Sequence, residues 1–186
     1  MNQIEISSSR LKLRLVTLSD LNVIHRLHSL AETDAFNTLG IPDSLAVTKL
    51  IVDTWILDNQ QLNINNYTFA IELKLSQQFI GLIALKLGSA KFKRAEVWYK
   101  LHVASWGKGF GSEALNRILD FGFGELKLHR IEAGCAVNNI GSIRVLEKVG
   151  MIREGRKRQV LPLKTGWSDN FEYAIIETDP RYPSSM

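Results

Sequence analysis

Hydrophobic and polar positions repeat with two periods along this chain, and the two periods separate predicted strands from predicted helices. Residues 11–15 alternate between leucine and mostly polar neighbours, which is typical of a half-buried strand. Apolar residues then recur every three or four positions over residues 24–31, which predicts a helix. Thr17 and Ser19 can cap this helix, because their side-chain oxygens accept hydrogen bonds from its first amides.

A second helix is predicted to begin at Pro42 and Asp43. Its apolar positions predict that one side faces the core, formed by Ala46, Val47, Leu50, Ile51, Thr54 and Trp55. Three strand-like segments follow, at residues 68–73, 79–87 and 95–101, and short polar or glycine-containing turns separate them. This spacing favours an antiparallel meander in the middle of the chain.

The last third of the chain alternates between strands and helices. A glycine-rich loop at residues 107–111 leads into a helix, and a strand at 129–137 leads into a second helix at 139–149, which Gly150 ends. Residues 151–160 and 170–177 are predicted to form a final strand pair. The pattern predicts one mixed α/β (α+β) domain over residues 1–186, with a partly antiparallel sheet.

Composition excludes several classes of protein. Of 186 residues, 45% are hydrophobic and 23% are charged, as in an ordinary soluble domain. No apolar run approaches the roughly 18 residues of a membrane helix, and the start of the chain lacks a secretory pattern. We therefore expect a cytoplasmic protein with no membrane partner. The lone Cys135 rules out a disulfide framework, and the four histidines lack metal-ligand spacing, so no metal is expected.

The charge balance is mildly basic, at +4 with an isoelectric point near 9.2. The densest basic cluster is at residues 153–158 and contains Glu154. A solvated strand edge or turn is favoured there, although an anionic ligand stays open. Nucleic-acid binding usually needs a denser basic stripe, so direct binding to nucleic acid is not expected.

The glycine-rich loop is the most informative segment. Glycines at positions 107, 109 and 111 let a ligand approach the backbone, and the following helix directs its positive end into the same space. A pyrophosphate suits such a loop, but a tight structural turn explains the glycines equally well. The spacing excludes both the nucleotide-binding GxxxxGK[ST] loop and the dinucleotide fingerprint GxGxxG.

Several ordered motifs resemble the GNAT acetyltransferases, from about Ser9 to Thr178. Residues 106–111 (WGKGFG) fill the frame of that family's acetyl-CoA loop, with Trp106 in place of Gln or Arg. The other matching segments are residues 10–15 (RLKLRL), 129–133 (HRIEA), 139–151 (NIGSIRVLEKVGM) and the last strand with Trp167, Asp169 and Tyr173. With tryptophan at position 106, the loop resembles that of the branch that acetylates the N-termini of ribosomal proteins.

The resemblance implies a fold and a co-substrate. It implies a mostly antiparallel, mixed sheet of about seven strands, splayed between the fourth and fifth strands and flanked by about four helices. Acetyl-CoA would insert its pantetheine arm into the split. The cofactor-binding residues implied are Leu101, His102 and Val103 at the acetyl carbonyl, Lys108, Gly109, Phe110, Gly111 and Ser112 at the pyrophosphate, and Asn139 as a helix cap or pantetheine partner.

The resemblance also implies catalytic roles. Many family members protonate the leaving thiolate with a tyrosine, but the matching residue here is Leu146. Ser142 is the proton donor that the ribosomal branch suggests, and a helix-terminus hydrogen bond is the alternative. Glu96 is the candidate general base, or else a solvated glutamate paired with Arg94 or Lys100. Glu132 has a weaker claim to the same role.

The acceptor site is expected from residues 30–41, the strand near Trp98 and residues 162–167. Trp98 stands where the family usually has glycine, and His25 and His28 are candidates to line the groove. Three functions stay open: acetylation of a protein N-terminal amine, acetylation of a small amine such as an antibiotic or polyamine, and non-catalytic acyl-CoA binding. The positive net charge argues mildly against polyamines. Homodimer formation also stays open.

Overall fold

In the computed structural model, which describes residues 4–181, eight strands form one sheet in the order β1-β2-β3-β4-β5-β6-β8-β7. The strands are β1 (Glu5–Ser7), β2 (Leu11–Leu15), β3 (Asn66–Leu73), β4 (Phe79–Leu87), β5 (Arg94–Leu101), β6 (Arg130–Ala136), β7 (Ile152–Leu163) and β8 (Gly166–Ile176). The helices are α1 (Leu21–His28), α2 (Ala31–Asp34), α3 (Leu45–Asn59), α4 (Phe110–Gly124) and α5 (Ile140–Lys148). None of these helices has the length and apolarity needed to cross a bilayer.

Helices cover both faces of the central strands, which explains why β3 and β4 are almost continuously apolar. One face packs on α4 and α5 through a large cluster that includes Phe69, Leu85 and Leu115. The other face packs on α1 and α3 through a smaller cluster that includes Leu27, Val52 and Leu82. The sheet is therefore the middle layer of three.

The predicted fold class is confirmed. The count over residues 4–181 is eight strands and five helices, because the short strand β1 pairs with β2 and the first predicted helix ends at His28 before α2 begins. The split consequently lies between the fifth and sixth strands. All neighbouring strands pair antiparallel except β5 and β6, which are parallel.

The apolar side predicted for the second helix is buried only in part, because Trp55 packs against the smaller cluster. In α3 the buried residues are Thr48, Val52 and Asn59, whereas Val47 and Leu50 are exposed. Apolar residues surround this helix, so their period does not select a face. The buried polar residues are held by specific partners instead: Asn59 exchanges hydrogen bonds with the backbone of Thr68 at 3.2 Å.

The basic cluster at residues 153–158 lies on β7, an edge strand that is exposed along most of its length. Arg156 pairs with Asp169, and Lys157 pairs with Glu172 across the strands. Charged side chains on an edge strand discourage pairing with other chains. The structure thus supports the interpretation of this cluster as a solvated strand edge.

Candidate active site

The two halves of the sheet separate between β5 and β6. These strands pair only where Arg94–Glu96 faces Arg130–Glu132, although β5 has eight residues and β6 has seven. Beyond residue 96 the edge of β5 faces an open gap. A gap with two unpaired strand edges is a place where an extended ligand can bind through backbone hydrogen bonds.

The register with β4 decides which backbone groups of β5 point into this gap. Gly88 donates to the carbonyl of Arg94 at 2.9 Å, and His102 donates to the carbonyl of Ile80 at 2.8 Å. The backbone N–H and C=O groups of even-numbered residues in β5 therefore point toward β4, and those of odd-numbered residues point toward β6. The amide of Leu101 consequently points into the gap, at the place predicted for the acetyl carbonyl.

His102 departs from the prediction that its amide faces the acetyl group. That amide is already donated to Ile80, and the His102 ring accepts a hydrogen bond from the Ala104 amide at 3.2 Å. His102 therefore caps the short turn Val103–Ser105, and Leu101 and Val103 are left as the candidate amide donors. The indole of Trp106 donates to the carbonyl of Leu101 at 2.9 Å, which ties the loop to the end of β5.

The loop at residues 107–112 has the geometry of an anion cradle. Gly107 and Gly109 adopt positive φ angles of 72° and 80°, which favour glycine. The amide of Glu113 forms the first helical bond, to the carbonyl of Gly109 at 3.0 Å, so the amides of residues 110–112 have no partner within α4. These amides and the positive end of α4 fit a pyrophosphate.

Gly111 has a different purpose from the other two glycines. A Cβ atom there would lie 3.2 Å from Val145 Cγ2 and 3.5 Å from Leu101 Cδ1. Gly111 therefore lets α4 pack closely on α5 and on the end of β5. The lack of a side chain at Gly111 allows this close packing, which keeps the cradle near the gap. It does not widen the cradle.

Glu113 anchors the cradle to the start of β2. This carboxylate is 5% exposed and accepts hydrogen bonds from Ser8 Oγ at 2.6 Å, the Arg10 amide at 3.0 Å and Arg10 Nε at 2.7 Å. Burial opposes its charge, but hydrogen bonds from Ser8 and Arg10 outweigh burial and lower the pKa of Glu113. Arg10 also donates to the carbonyl of Lys108 at 3.1 Å, while Lys108 itself is exposed.

At the other side of the gap, Asn139 caps α5, and Ser142 meets a partner that sequence analysis missed. Asn139 Oδ1 accepts from the Ser142 amide at 3.1 Å, in agreement with the predicted cap. Ser142 Oγ lies 2.7 Å from the hydroxyl of Tyr99. Burial raises the pKa of Tyr99, so its hydroxyl stays protonated. Alternation along β5 was the available signal, since it directs Tyr99 toward α5.

Cys135 lies close to this hydroxyl pair but is unsuited to nucleophilic chemistry. The thiol is 4% exposed on β6, and burial raises its pKa, so it stays protonated at neutral pH.

The candidate carboxylates lie away from the hydroxyl pair. Glu96 and Glu132 are adjacent in the paired, closed part of β5 and β6. Glu96 is exposed, three residues before Tyr99, or about 10 Å along the strand, and the alternation places it on the opposite face. Glu132 accepts from Arg130 Nε at 2.7 Å. The structure does not bring either carboxylate to Ser142, and a base role for either stays a prediction.

The face of β5 opposite Tyr99 carries Trp98 and Lys100 toward α1 and α3. The Trp98 ring packs 5.7 Å from the ring of Trp55, which accommodates the bulky residue in place of glycine. Lys100 is buried beside His28, with Nζ 3.0 Å from Nδ1. Sequence analysis missed Lys100 as a site residue, because a single lysine in a strand gives no signal of burial.

The two histidines do not line an open groove. His25 Nδ1 lies 2.7 Å from Thr48 Oγ1, and His28 is 1% exposed. Residues 162–167 comprise the end of β7, the turn at 164–165 and the start of β8, where Trp167 is 67% exposed. Between residues 4 and 181, no three His, Cys, Asp or Glu side chains are grouped so that they could hold a metal ion.

Comparison with protein families and curated proteins gives consistent matches. A family model described as an acetyltransferase (GNAT) domain matches residues 10–152. "Probable N-acetyltransferase YjcK" of Bacillus subtilis is 39% identical over 114 residues, covering 61% of this chain and 63% of that protein. "Uncharacterized N-acetyltransferase YnaD" of Bacillus subtilis is 47% identical over 72 residues, covering 39% and 42%. The chain thus spans less than two thirds of the length of these two relatives.

Solved structures match over almost the whole chain. A GNAT-family acetyltransferase from Bacillus anthracis superposes with a TM-score of 0.79 at 29% identity, covering 93% of this chain and 98% of the other. Spermidine N-acetyltransferase from Vibrio cholerae, in complex with CoA and spermine, superposes with a TM-score of 0.82 at 25% identity, covering 92% and 98%. The chain therefore belongs to the acetyltransferase (GNAT) domain family.

Proposed function

We propose that this protein transfers the acetyl group of acetyl-CoA directly to a primary amine, and that the acceptor is the N-terminal α-amine of a protein. The observation that carries the proposal is that two features border the same gap in the sheet. The amide cradle at residues 107–112 lies at one end of an open strand gap, and the Tyr99–Ser142 hydroxyl pair lies beside that gap. Acetyl-CoA supplies the activated thioester, and the proposal assigns its pyrophosphate to the cradle.

The residues around the gap have complementary tasks in this proposal. The amides of Leu101 and Val103 stabilise the negative charge that develops on the carbonyl oxygen. The attacking nitrogen releases a proton as the C–N bond forms, and Ser142 passes that proton on to the departing sulfur. The hydroxyl of Tyr99, at 2.7 Å, stays protonated and holds Ser142 Oγ in place. Asn139 holds Ser142 in place through the helix cap. The amine attacks without an enzyme-bound intermediate, because Cys135 is buried and protonated.

Two features support a protein N-terminus as the acceptor. The tryptophan loop, together with serine at 142 and leucine at 146, resembles the branch that acts on ribosomal proteins. The face of the sheet that packs on α1 and α3 carries an apolar and aromatic cluster that includes Leu27, Trp55 and Trp98. A polyamine carries several positive charges and is held best by clustered acidic residues.

A polyamine acceptor is the second candidate, favoured by one comparison. The Vibrio cholerae enzyme with 25% identity is a spermidine N-acetyltransferase bound to spermine. Glu32 and Asp34 on α2 and Glu96 on β5 are acidic side chains on these elements. The net charge of +4 weighs against this candidate.

A comparison of acceptors tests the proposal. Purified protein is mixed with acetyl-CoA and with peptides that begin with alanine or serine, with the same peptides blocked at the N-terminus, or with spermidine. Release of free thiol is followed, and products are identified by mass. The proposal predicts acetylation of free peptide N-termini. Preference for spermidine would support the second candidate, and CoA binding without thiol release would indicate a non-catalytic module.

A further inference from the structure

The side chain of Arg10 borders three consecutive residues of the cradle, although Arg10 itself lies just before β2. Its Nη1 donates to the carbonyl of Lys108 at 3.1 Å, across 98 positions of the chain. Its Nη2 would lie 3.4 Å from a Cβ atom at Gly109, and its Cζ lies 4.5 Å from the centre of the Phe110 ring. A guanidinium group therefore borders the loop whose backbone amides form the cradle.

The ion pair with Glu113 fixes one edge of this guanidinium. Glu113 Oε2 lies 2.7 Å from Arg10 Nε and 2.6 Å from Nη2. The Glu113 side chain is 6% exposed, whereas the Arg10 side chain is 50% exposed. The other carboxylate oxygen accepts from Ser8 Oγ and from the Arg10 amide. The carboxylate is thus enclosed, and the positive end of the pair faces the loop and the solvent.

The guanidinium keeps donors for a further partner. A guanidinium has five N–H groups in one plane and no acceptor. Contacts within residues 4–181 use three of these groups: Nε and one N–H of Nη2 on Glu113, and one N–H of Nη1 on Lys108. One N–H on each Nη atom is therefore left for a ligand. An arginine held in this way suits phosphate oxygens, because its planar fork matches their geometry.

The space beside these donors is the space that Gly109 leaves open. A side chain at position 109 would approach Arg10 Nη2, and the φ of Gly109 is 80°. Gly109 directly precedes α4, where the amides of residues 110–112 have no partner within the helix. A group that fills this space meets the guanidinium and the positive end of α4 together, and both favour an anion.

The pairing with Glu113 alone does not account for this arrangement. A buried carboxylate needs a cation beside it, and Arg10 Nε and Nη2 meet that need. The pairing does not require Nη1 to contact the loop, nor the guanidinium to stack on Phe110. These two contacts hold the plane of the guanidinium against the cradle. The exposed side chain of Lys108, by contrast, carries a flexible point charge.

We propose that Arg10 binds the pyrophosphate of CoA together with the amides of residues 110–112. This inference rests on the proposed function, which brings CoA to the cradle. Nη1 and Nη2 each donate one hydrogen bond to phosphate oxygens, while Glu113 and Phe110 hold the guanidinium in place. No covalent bond or proton is exchanged, so Arg10 contributes to affinity for the co-substrate and not to the chemistry of transfer.

Calorimetry with three ligands tests this inference. The ligands are CoA, dephospho-CoA, which lacks the 3′-phosphate, and pantetheine, which lacks all phosphate groups. The proteins are the wild type, Arg10→Met, Arg10→Gln and Arg26→Met. Glutamine keeps a hydrogen-bond donor for Glu113, so Arg10→Gln supplies the comparison if Arg10→Met does not fold. Arg26 is an exposed residue of α1, and Arg26→Met controls for the loss of one positive charge.

Both Arg10 variants are expected to bind CoA and dephospho-CoA about 10–100-fold more weakly than the wild type, because hydrogen bonds from a charged donor are lost. Their affinity for pantetheine is expected to stay within about twofold of the wild-type value, since pantetheine has no phosphate for a guanidinium to bind. Arg26→Met should bind all three ligands as the wild type does. Raising the salt concentration should narrow the difference between Arg10→Met and the wild type, because salt screens charge interactions.

Three results would overturn the inference alone. Wild-type affinity for CoA in the Arg10 variants would remove Arg10 from the site. A loss of affinity for CoA but not for dephospho-CoA would assign Arg10 to the 3′-phosphate. An equal loss of affinity for pantetheine would assign Arg10 to the structure of the loop.

Other results would reject the proposed function. A wild type that binds none of the three ligands would show that CoA is not its co-substrate, and the inference would fall with it. A wild type that binds CoA but releases no thiol with any amine would reject acetyl transfer, while the affinities of the Arg10 variants would still decide the role of Arg10.

Discussion

Trp106 and Tyr99 show how single residues compensate for departures from the family pattern. Trp106 stands in place of Gln or Arg, and its indole N–H donates to Leu101 at 2.9 Å, so a donor is retained at the loop. Leu146 on α5 occupies the position at which the family resemblance implies a tyrosine. Tyr99 brings a phenol to Ser142 from the neighbouring strand instead.

Ser142→Ala is expected to lower the turnover number and to leave acetyl-CoA affinity nearly unchanged, because its hydroxyl acts on a thiolate that exists only late in the reaction. Loss of one positioned proton donor costs about 10²–10⁴ in rate. The lower end is expected here, since Tyr99 and water supply other hydroxyl groups. Steady-state kinetics and calorimetry with CoA measure the two quantities, after a viscosity test shows that chemistry limits the wild-type rate.

Tyr99→Phe is the matched variant for this prediction and should reduce turnover less than Ser142→Ala. Unchanged turnover in Ser142→Ala would remove the serine from the mechanism. Loss of CoA binding or of thermal stability in that variant would instead assign Ser142 to the helix terminus.

Lys100→Met is expected to stabilise the fold. The drop in the pKa of Lys100 from 10.5 to about 8 reflects the cost of burying its charge, which is roughly 3 kcal/mol at 1.36 kcal/mol per unit. Methionine avoids that cost, although His28 then loses its donor, so a gain of about 1–2 kcal/mol is expected. Urea unfolding at neutral pH measures it, and a less stable variant would contradict the prediction.

The same substitution changes how stability depends on pH. Between the folded pKa of about 8 and the unfolded value of 10.5, the unfolded chain holds a proton that the folded chain has released. Wild-type stability should therefore rise with pH across this window. The Lys100→Met variant should lack this rise. Urea unfolding of both proteins at the two ends of this pH window measures the free energy of unfolding that is compared.

At the scale of elements, the start of α4 depends on backbone geometry that only glycine adopts easily. Gly109→Val is expected to weaken CoA binding at least about tenfold, because the side chain intrudes on the amide cradle and disfavours a φ of 80°. Gly166→Val provides the control, since Gly166 has a φ of 112° in open space at a distant turn. Calorimetry with CoA should separate the variants. Equal losses in both would attribute the effect to general strain.

The hydrogen bonds from Ser8 and Arg10 to Glu113 form a tether between the segment before β2 and α4, and this tether contributes to stability. Glu113→Gln is expected to cost about 2–3 kcal/mol near pH 7, because hydrogen bonds to a buried carboxylate are lost. The pKa of Glu113 is lowered from 4.5 by folding, so its contribution is present above that value and disappears as pH falls through the lower folded pKa. The stability difference from the wild type should therefore shrink in acid.

Unfolding in urea near pH 7 and in acid measures this effect, with the exposed Glu125→Gln as control. A constant difference at both pH values would show that the charge of Glu113 is not what stabilises the tether.

At the scale of the whole molecule, α4 and α5 cover one face of the sheet and α1 and α3 cover the other. The proposed function requires CoA and the acceptor amine to be bound at the same time. Initial-rate plots are expected to intersect, and Cys135→Ala is expected to keep turnover within about threefold, because no covalent acetyl-enzyme is needed. Parallel plots together with an inactive Cys135→Ala variant would contradict direct transfer.

Local chemistry explains which parts of the fold were predictable. Residues 79–87 were assigned as a strand with the bounds that the structure has, since turns flank a continuous apolar run. The cap at Asn139 depends on neighbours three residues apart. The buried face of α3 was predicted only in part, because Thr48 and Asn59 are buried through partners on α1 and β3 that the helix sequence does not contain.

The sequence by itself determined the class of the fold, the glycine-rich cradle, the capped serine on α5 and the family, since each depends on residues that are close together along the chain. Only the tertiary structure decided that His102 is engaged with β4, that Tyr99 meets Ser142, and that Lys100 is buried beside His28. These contacts join residues 22, 43 and 72 positions apart. Strand register and packing bring them together, and burial then sets their protonation, which no local pattern contains.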